Sequence, residues 1–267
     1  MKGFDLFKRA SAALVPAAAA AAMLAGPLAA SAQPAQRAAA DTRTPKQAAP
    51  IDMTGNWVAI VNEDWRWRMV TPPKGDFPGI PLTQAGRDKA NAWDPATDGS
   101  CKAYGVGGVM RMPTRLRISW VGDDVMKVET DAGVQTRELV FNRDAPAGAA
   151  PTLQGFSKAV WDRPNLVPAQ VAGGIQVGNA FQPPGGSLKV VTTHHTDGWV
   201  RKNGVPYSEN AVITEYYDRF ADPTGQEWLT VLTIVDDPVN FNTPFLTSSH
   251  FKKEPDGSKW RPKPCKP

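Results

Sequence analysis

The stretch that decides the fold is RLRISWVGDDVMKVETDAGVQTRELVF, residues 115–141. Arg115-Leu116-Arg117-Ile118-Ser119-Trp120 alternates polar and apolar side chains, the period of a strand with one face on a core. Gly122-Asp123-Asp124 is turn chemistry, and Val125 to Thr130 then alternates again. Asp131-Ala132-Gly133 turns the chain once more before a third strand, Gln135 to Phe141. Connections this short predict a meander of antiparallel hairpins.

The same grammar runs outward. Strands are predicted over Gly55 to Val61, Leu153 to Trp161, Leu188 to Thr196, Ala211 to Phe220, Trp228 to Asp236 and Phe245 to Lys252. Asn203-Gly204 marks a hairpin turn, and Pro223-Thr224-Gly225 and Asp237-Pro238 separate the last three strands. Arg163 to Gly186, rich in Pro, Gly and Gln, reads as a long loop. One short helix is predicted over Thr83 to Trp93, with Thr83 as its N-cap. No repeat of about 20–50 residues is visible, which argues against solenoids and propellers. The expected fold is all-β: an up-and-down antiparallel meander of about eight or nine strands, closed into a barrel that removes its edges.

Composition bounds the rest. At 42% hydrophobic and 21% charged, the 267-residue chain is globular rather than disordered. Met1 to Arg9 is a basic head, Ala12 to Ala25 is apolar but for Pro16, and Ala30-Ser31-Ala32 fits an A-x-A cleavage site. This order predicts a signal peptide over 1–32, and hence a periplasmic or secreted protein whose mature chain starts at Gln33. Residues 33–50 read as a flexible linker and 51–267 as a single barrel domain. The net charge is +4; removing residues 1–32 takes away three basic groups and one acidic group and leaves +2. That gives no electrostatic case for nucleic acid. No later run of about 18 apolar residues predicts a membrane span.

Cys101 and Cys265 are the only cysteines, and in an exported chain they predict one disulfide. There is no G-x-S-x-G, H-E-x-x-H, Walker loop or dinucleotide fingerprint, so no cofactor is indicated. The histidines are His194, His195 and His250. Neighbours on a strand face opposite ways, so His194 and His195 are poorly placed to share a metal ion, and no metal site is expected.

Gly55-Asn56-Trp57 at the first strand resembles the G-x-W opening of lipocalins and other calycin barrels. The resemblance implies a lipocalin-like barrel with Trp57 packed across its closed end. The long segment between Trp57 and Met110 departs from that pattern, since a lipocalin goes directly into hairpins. The stretches Glu129 to Arg137 and Arg201 to Asn210 resemble an uncharacterised family of exported bacterial proteins, which implies no activity.

Strand parity nominates interior groups. If Lys189 points outward, His194 points inward and His195 outward. Arg137, Glu215 and Tyr217 share the inward faces of their strands, so with His194 they form a candidate acid–base set or a structural network. Trp65 and Trp67 lie on one side of a segment read as extended, and Trp199 and Tyr207 flank the Asn203-Gly204 turn. With His250 these four are candidate ligand-binding residues.

The functional expectation is an exported barrel that holds a small apolar or aromatic molecule in its interior. The alternatives are a lipocalin-like isomerase, hydratase, dehydratase or cyclase, and a carbohydrate-directed protein using Trp platforms. Oligomeric state is not legible.

Overall fold

The computed structural model describes residues 42–163 and 186–267. The predicted signal peptide, the first half of the linker and all but the ends of the predicted long loop lie outside them.

Among the described residues, nine strands close into a barrel. They are β1 (Gly55–Ile60), β2 (Arg115–Trp120), β3 (Val125–Thr130), β5 (Gln135–Phe141), β6 (Phe156–Asp162), β7 (Ser187–Thr193), β10 (Val212–Ala221), β11 (Glu227–Asp236) and β12 (Phe245–Glu254). Around the ring the order is β1, β12, β11, β10, β7, β6, β5, β3, β2, and β2 pairs back onto β1. Every pairing is antiparallel except β5–β6. An odd number of strands cannot alternate direction all the way round a closed ring, so one parallel seam is obligatory. It sits where residues 142–155 carry the chain back along the barrel, the crossover length that a parallel pair requires. The uniformly antiparallel expectation is corrected at this pair.

Outside the ring, β8 (Gly198–Arg201) and β9 (Val205–Tyr207) form a small hairpin. β4 (Ala132–Gly133) pairs in parallel with β13 (Lys263–Pro264). The predicted helix is α2 (Gln84–Asn91), capped by Thr83, whose Oγ1 accepts the Gly86 N–H at 3.0 Å. A second, one-turn helix is α1 (Trp65–Arg68), in the segment read as extended. Its Trp-Arg-Trp-Arg sequence has a period of two, which conceals the turn.

The barrel is filled. Trp57, Leu116, Leu139, Leu188, Val190, Leu229, Val231 and Phe251 are all fully buried in one cluster. Met53, Val109 and Met110 pack into the same cluster from outside the strands. Trp57 donates its Nε1–H to Met53 O at 2.9 Å. This architecture is compatible with a lipocalin-like barrel.

The two barrel ends are closed differently. At the end where β1 begins, residues 44–52 lie across the opening: Lys46 N–H donates to Asp123 O, and Trp161 Nε1–H donates to Pro45 O at 2.8 Å. Part of the predicted linker is therefore docked on the barrel, ahead of Ile51. The other end is covered by α2 and the β8–β9 hairpin, whose Ala90, Val200, Val205 and Tyr207 pack on Ile213, Val235 and Phe245 of the barrel. No helix among the described residues is long and apolar enough to cross a membrane.

Cys101 and Cys265 form the predicted disulfide, with Cα atoms 4.9 Å apart. It joins the C-terminal tail to the lid end, where Cys101 N–H also donates to Lys266 O at 2.8 Å.

Candidate functional site

Three of the four residues nominated for acid–base work meet inside the barrel. Arg137 comes from β5, and Glu215 and Tyr217 from alternate positions of β10. Arg137 holds Glu215 with two nitrogens, Nη2–Oε2 at 2.6 Å and Nη1–Oε1 at 3.1 Å. Tyr217 Oη donates to Glu215 Oε2 at 3.3 Å. Ser157 and Thr192 bond each other at 2.8 Å and both accept from Arg137 Nη2. All five side chains are 2% exposed or less.

The electrostatics follow from this enclosure. Burial, then the negative charge of Glu215, pushes the Tyr217 phenol well above its ordinary range. Burial works against the Arg137 cation, but the Glu215 carboxylate outweighs it and raises the Arg137 pKa. Each group is committed to another group of the same chain.

His194 is not part of this set, and the parity argument fails at that residue. Lys189 does face outward, while Leu188, Val190 and Thr192 face inward. The strand ends at Thr193. His194 takes a left-handed conformation, φ 56°, and the backbone turns to meet Thr152: Thr152 N–H donates to His194 O and Thr196 N–H to Thr152 O. That one residue reverses the alternation. His194 is exposed, and its Nδ1 lies 2.8 Å from Thr193 Oγ1. His195 is fully buried instead, with Nε2 at 2.8 Å from Ala211 O and Nδ1 at 3.0 Å from Thr196 O. It ties the end of β7 to the start of β10, a role that no sequence signal announced.

The nominated aromatic residues gather around the lid end without forming one platform. Trp65 is 64% exposed. The guanidiniums of Arg66 and Arg201 both lie over the Trp67 ring, at 5.1 and 4.8 Å from its centre. Trp199 stands opposite Pro206, not Tyr207, and meets Trp93 edge-on at 6.5 Å. Tyr207 stands opposite Gly198 and is fully buried; a Cβ on Gly107 or Gly198 would fall within 2.8 Å of its ring. His250, on the outer face of β12, lies 2.5 Å from Glu63 Oε1.

Two further groupings went unread in the sequence. At the arm-covered end, Trp120 stacks on Phe141 at 5.6 Å, and both meet Trp161, at 6.4 and 5.4 Å. Trp120 borders a cavity of about 610 Å³ whose other walls include Lys46, Ala49, Ile51, Asp52 and Ser119. Burial raises the pKa of Asp52, but hydrogen bonds from Thr54 N–H and Oγ1 outweigh it and hold the carboxyl below its ordinary range. At the lid end, Arg68, Arg111 and Arg201 are buried near one another. The residues are far apart in sequence, so only the fold brings them together. No group of His, Cys, Asp or Glu among the described residues is arranged to hold a metal ion.

Compared with protein-family models, with curated proteins and with solved structures, the chain matches none of them.

Proposed function

We propose that this is an exported, periplasmic or secreted barrel that binds a small apolar or aromatic molecule at the arm-covered end. The observation that supports this reading is the cavity of about 610 Å³ bordered by Trp120, whose ring stacks on Phe141 and meets Trp161 behind it. Its volume lies within the roughly 300–1,000 Å³ of small-molecule sites, and its lining sets Trp120, Ile51, Ala49 and Pro50 beside the polar groups of Lys46, Asp52, Thr54 and Ser119. The filled middle of the barrel directs the ligand to the mouth rather than the interior. The mutual bonding of Arg137, Glu215 and Tyr217 supports binding over catalysis, since a general acid or base must reach its substrate.

The test is native mass spectrometry of protein taken from its own envelope fraction. The expected result is a retained small molecule that is lost when Ala49→Trp fills the cavity. Wild-type protein that retains nothing, and takes up nothing from a panel of apolar and aromatic metabolites, contradicts the reading.

A further inference from the structure

Three arginines are buried at the lid end: Arg68 is 2% exposed, Arg111 4% and Arg201 4%. A buried guanidinium is stable when its N–H groups find acceptors and its charge finds a counter-charge. Arg111 has both, with Nη2 at 3.1 Å from Asp64 Oδ2 and Nη1 donating to Thr247 Oγ1. Arg68 is partly served. Its Nε donates to Arg111 O at 2.8 Å and its Nη1 is 3.6 Å from Glu63 Oε2, but Nη2 has no acceptor.

Arg201 is the exception. Its Nε and Nη1 are buried without an acceptor, and among the described residues no carboxylate pairs with it. The face of its guanidinium lies on Trp67. The nearest acids are occupied: Asp76 accepts from Arg66 at 2.8 Å and from Trp67 Nε1 at 3.2 Å, and Asp64 holds Arg111. Four guanidiniums, of Arg66, Arg68, Arg111 and Arg201, thus face three carboxylates, of Glu63, Asp64 and Asp76. One positive charge is left over, and it is buried. Burial, then the charge of Arg111, lowers both Arg68 and Arg201 to about 10, so both remain cations at neutral pH.

We propose that Arg201, backed by Trp67 and Arg111, binds the carboxylate of a small organic acid. A carboxylate supplies the single negative charge that is missing and accepts hydrogen bonds without donating any. Trp65, Met69 and Val70, on and just after α1, are 64%, 52% and 63% exposed and give apolar surface beside Trp67 and Arg68. That surface favours an organic acid over an inorganic ion. The site is independent of the cavity at the opposite barrel end.

The experiment is thermal unfolding and calorimetric titration with sodium benzoate, against chloride at constant ionic strength and against inorganic phosphate. Benzoate should raise the unfolding temperature of the wild type by mass action, with saturation. Arg201→Met should fold with an unfolding temperature no lower than wild type without ligand, because it removes an unpaired buried charge. It should also weaken benzoate binding about tenfold or more. Arg201→Lys keeps the charge but not the planar donors, and should bind with intermediate affinity. The proposal is overturned if benzoate acts no differently from chloride, if phosphate alone shifts the transition, or if both variants bind benzoate as wild type does.

Discussion

Replacing Arg137 by Met removes one half of a buried bidentate pair and strands the Glu215 carboxylate among apolar side chains. Chemical denaturation should show a loss of about 3–5 kcal/mol, while removing both charges with Arg137→Met and Glu215→Leu should recover most of it. If the single and double variants lose equally, the pair is not the unit described here. A second residue, Asp222, accepts from Thr224 Oγ1, Trp228 Nε1 and the backbone N–H groups of Thr224 and Gln226 in the β10–β11 turn. The side-chain bond from Thr224 and then that from Trp228 hold its pKa down at about 2, below the ordinary 3.8. A depressed acid stabilises the fold above its unfolded pKa, and that stabilisation is lost as pH falls through the folded value. Asp222→Asn should therefore lower the unfolding temperature at neutral pH, and the gap to wild type should shrink between about pH 4 and 2. At this scale the sequence was readable where strands stay regular, which is why Arg137, Glu215 and Tyr217 meet as parity required. It was unreadable at His194, because a single left-handed residue looks like any other in a row of letters. His194→Gly should stabilise by about 1 kcal/mol through relief of that conformation, and His195→Ala should cost roughly 1–3 kcal/mol by removing the buried ring and the hydrogen bond it gives to a backbone carbonyl, both read by urea denaturation.

The elements divide by how local their causes are. Hairpins β2–β3 and β10–β11 were legible because turn residues and alternation lie within a dozen positions. Helix α2 was legible through its Thr83 cap. The parallel β5–β6 seam was not, since it follows from closing the ring and not from either strand. The β8–β9 hairpin was legible in its Asn203-Gly204 turn, but its docking as a lid was not, since that is fixed by the fit of Tyr207 against Gly105, Gly107 and Gly198. A side chain there meets the buried ring, so Gly198→Ala should destabilise by roughly 1–3 kcal/mol, read by urea denaturation.

For the molecule as a whole, the barrel joins two dissimilar ends across a closed, apolar and internally paired middle. The arm-covered end is aromatic, and the lid end is rich in arginine and sealed by the disulfide. The disulfide spans 164 residues, and its removal by Cys101→Ser and Cys265→Ser should cost about 4–5 kcal/mol on loop-entropy grounds, measured by denaturation. Ligand binding at the aromatic end is tested most directly by equilibrium titration with the neutral aromatic probe N-phenyl-1-naphthylamine, following its directly excited emission. Saturable binding of one probe per chain is expected, abolished by Ala49→Trp and unchanged by Arg201→Met. Emission that never saturates, or saturable binding that survives Ala49→Trp, would contradict binding at the aromatic end.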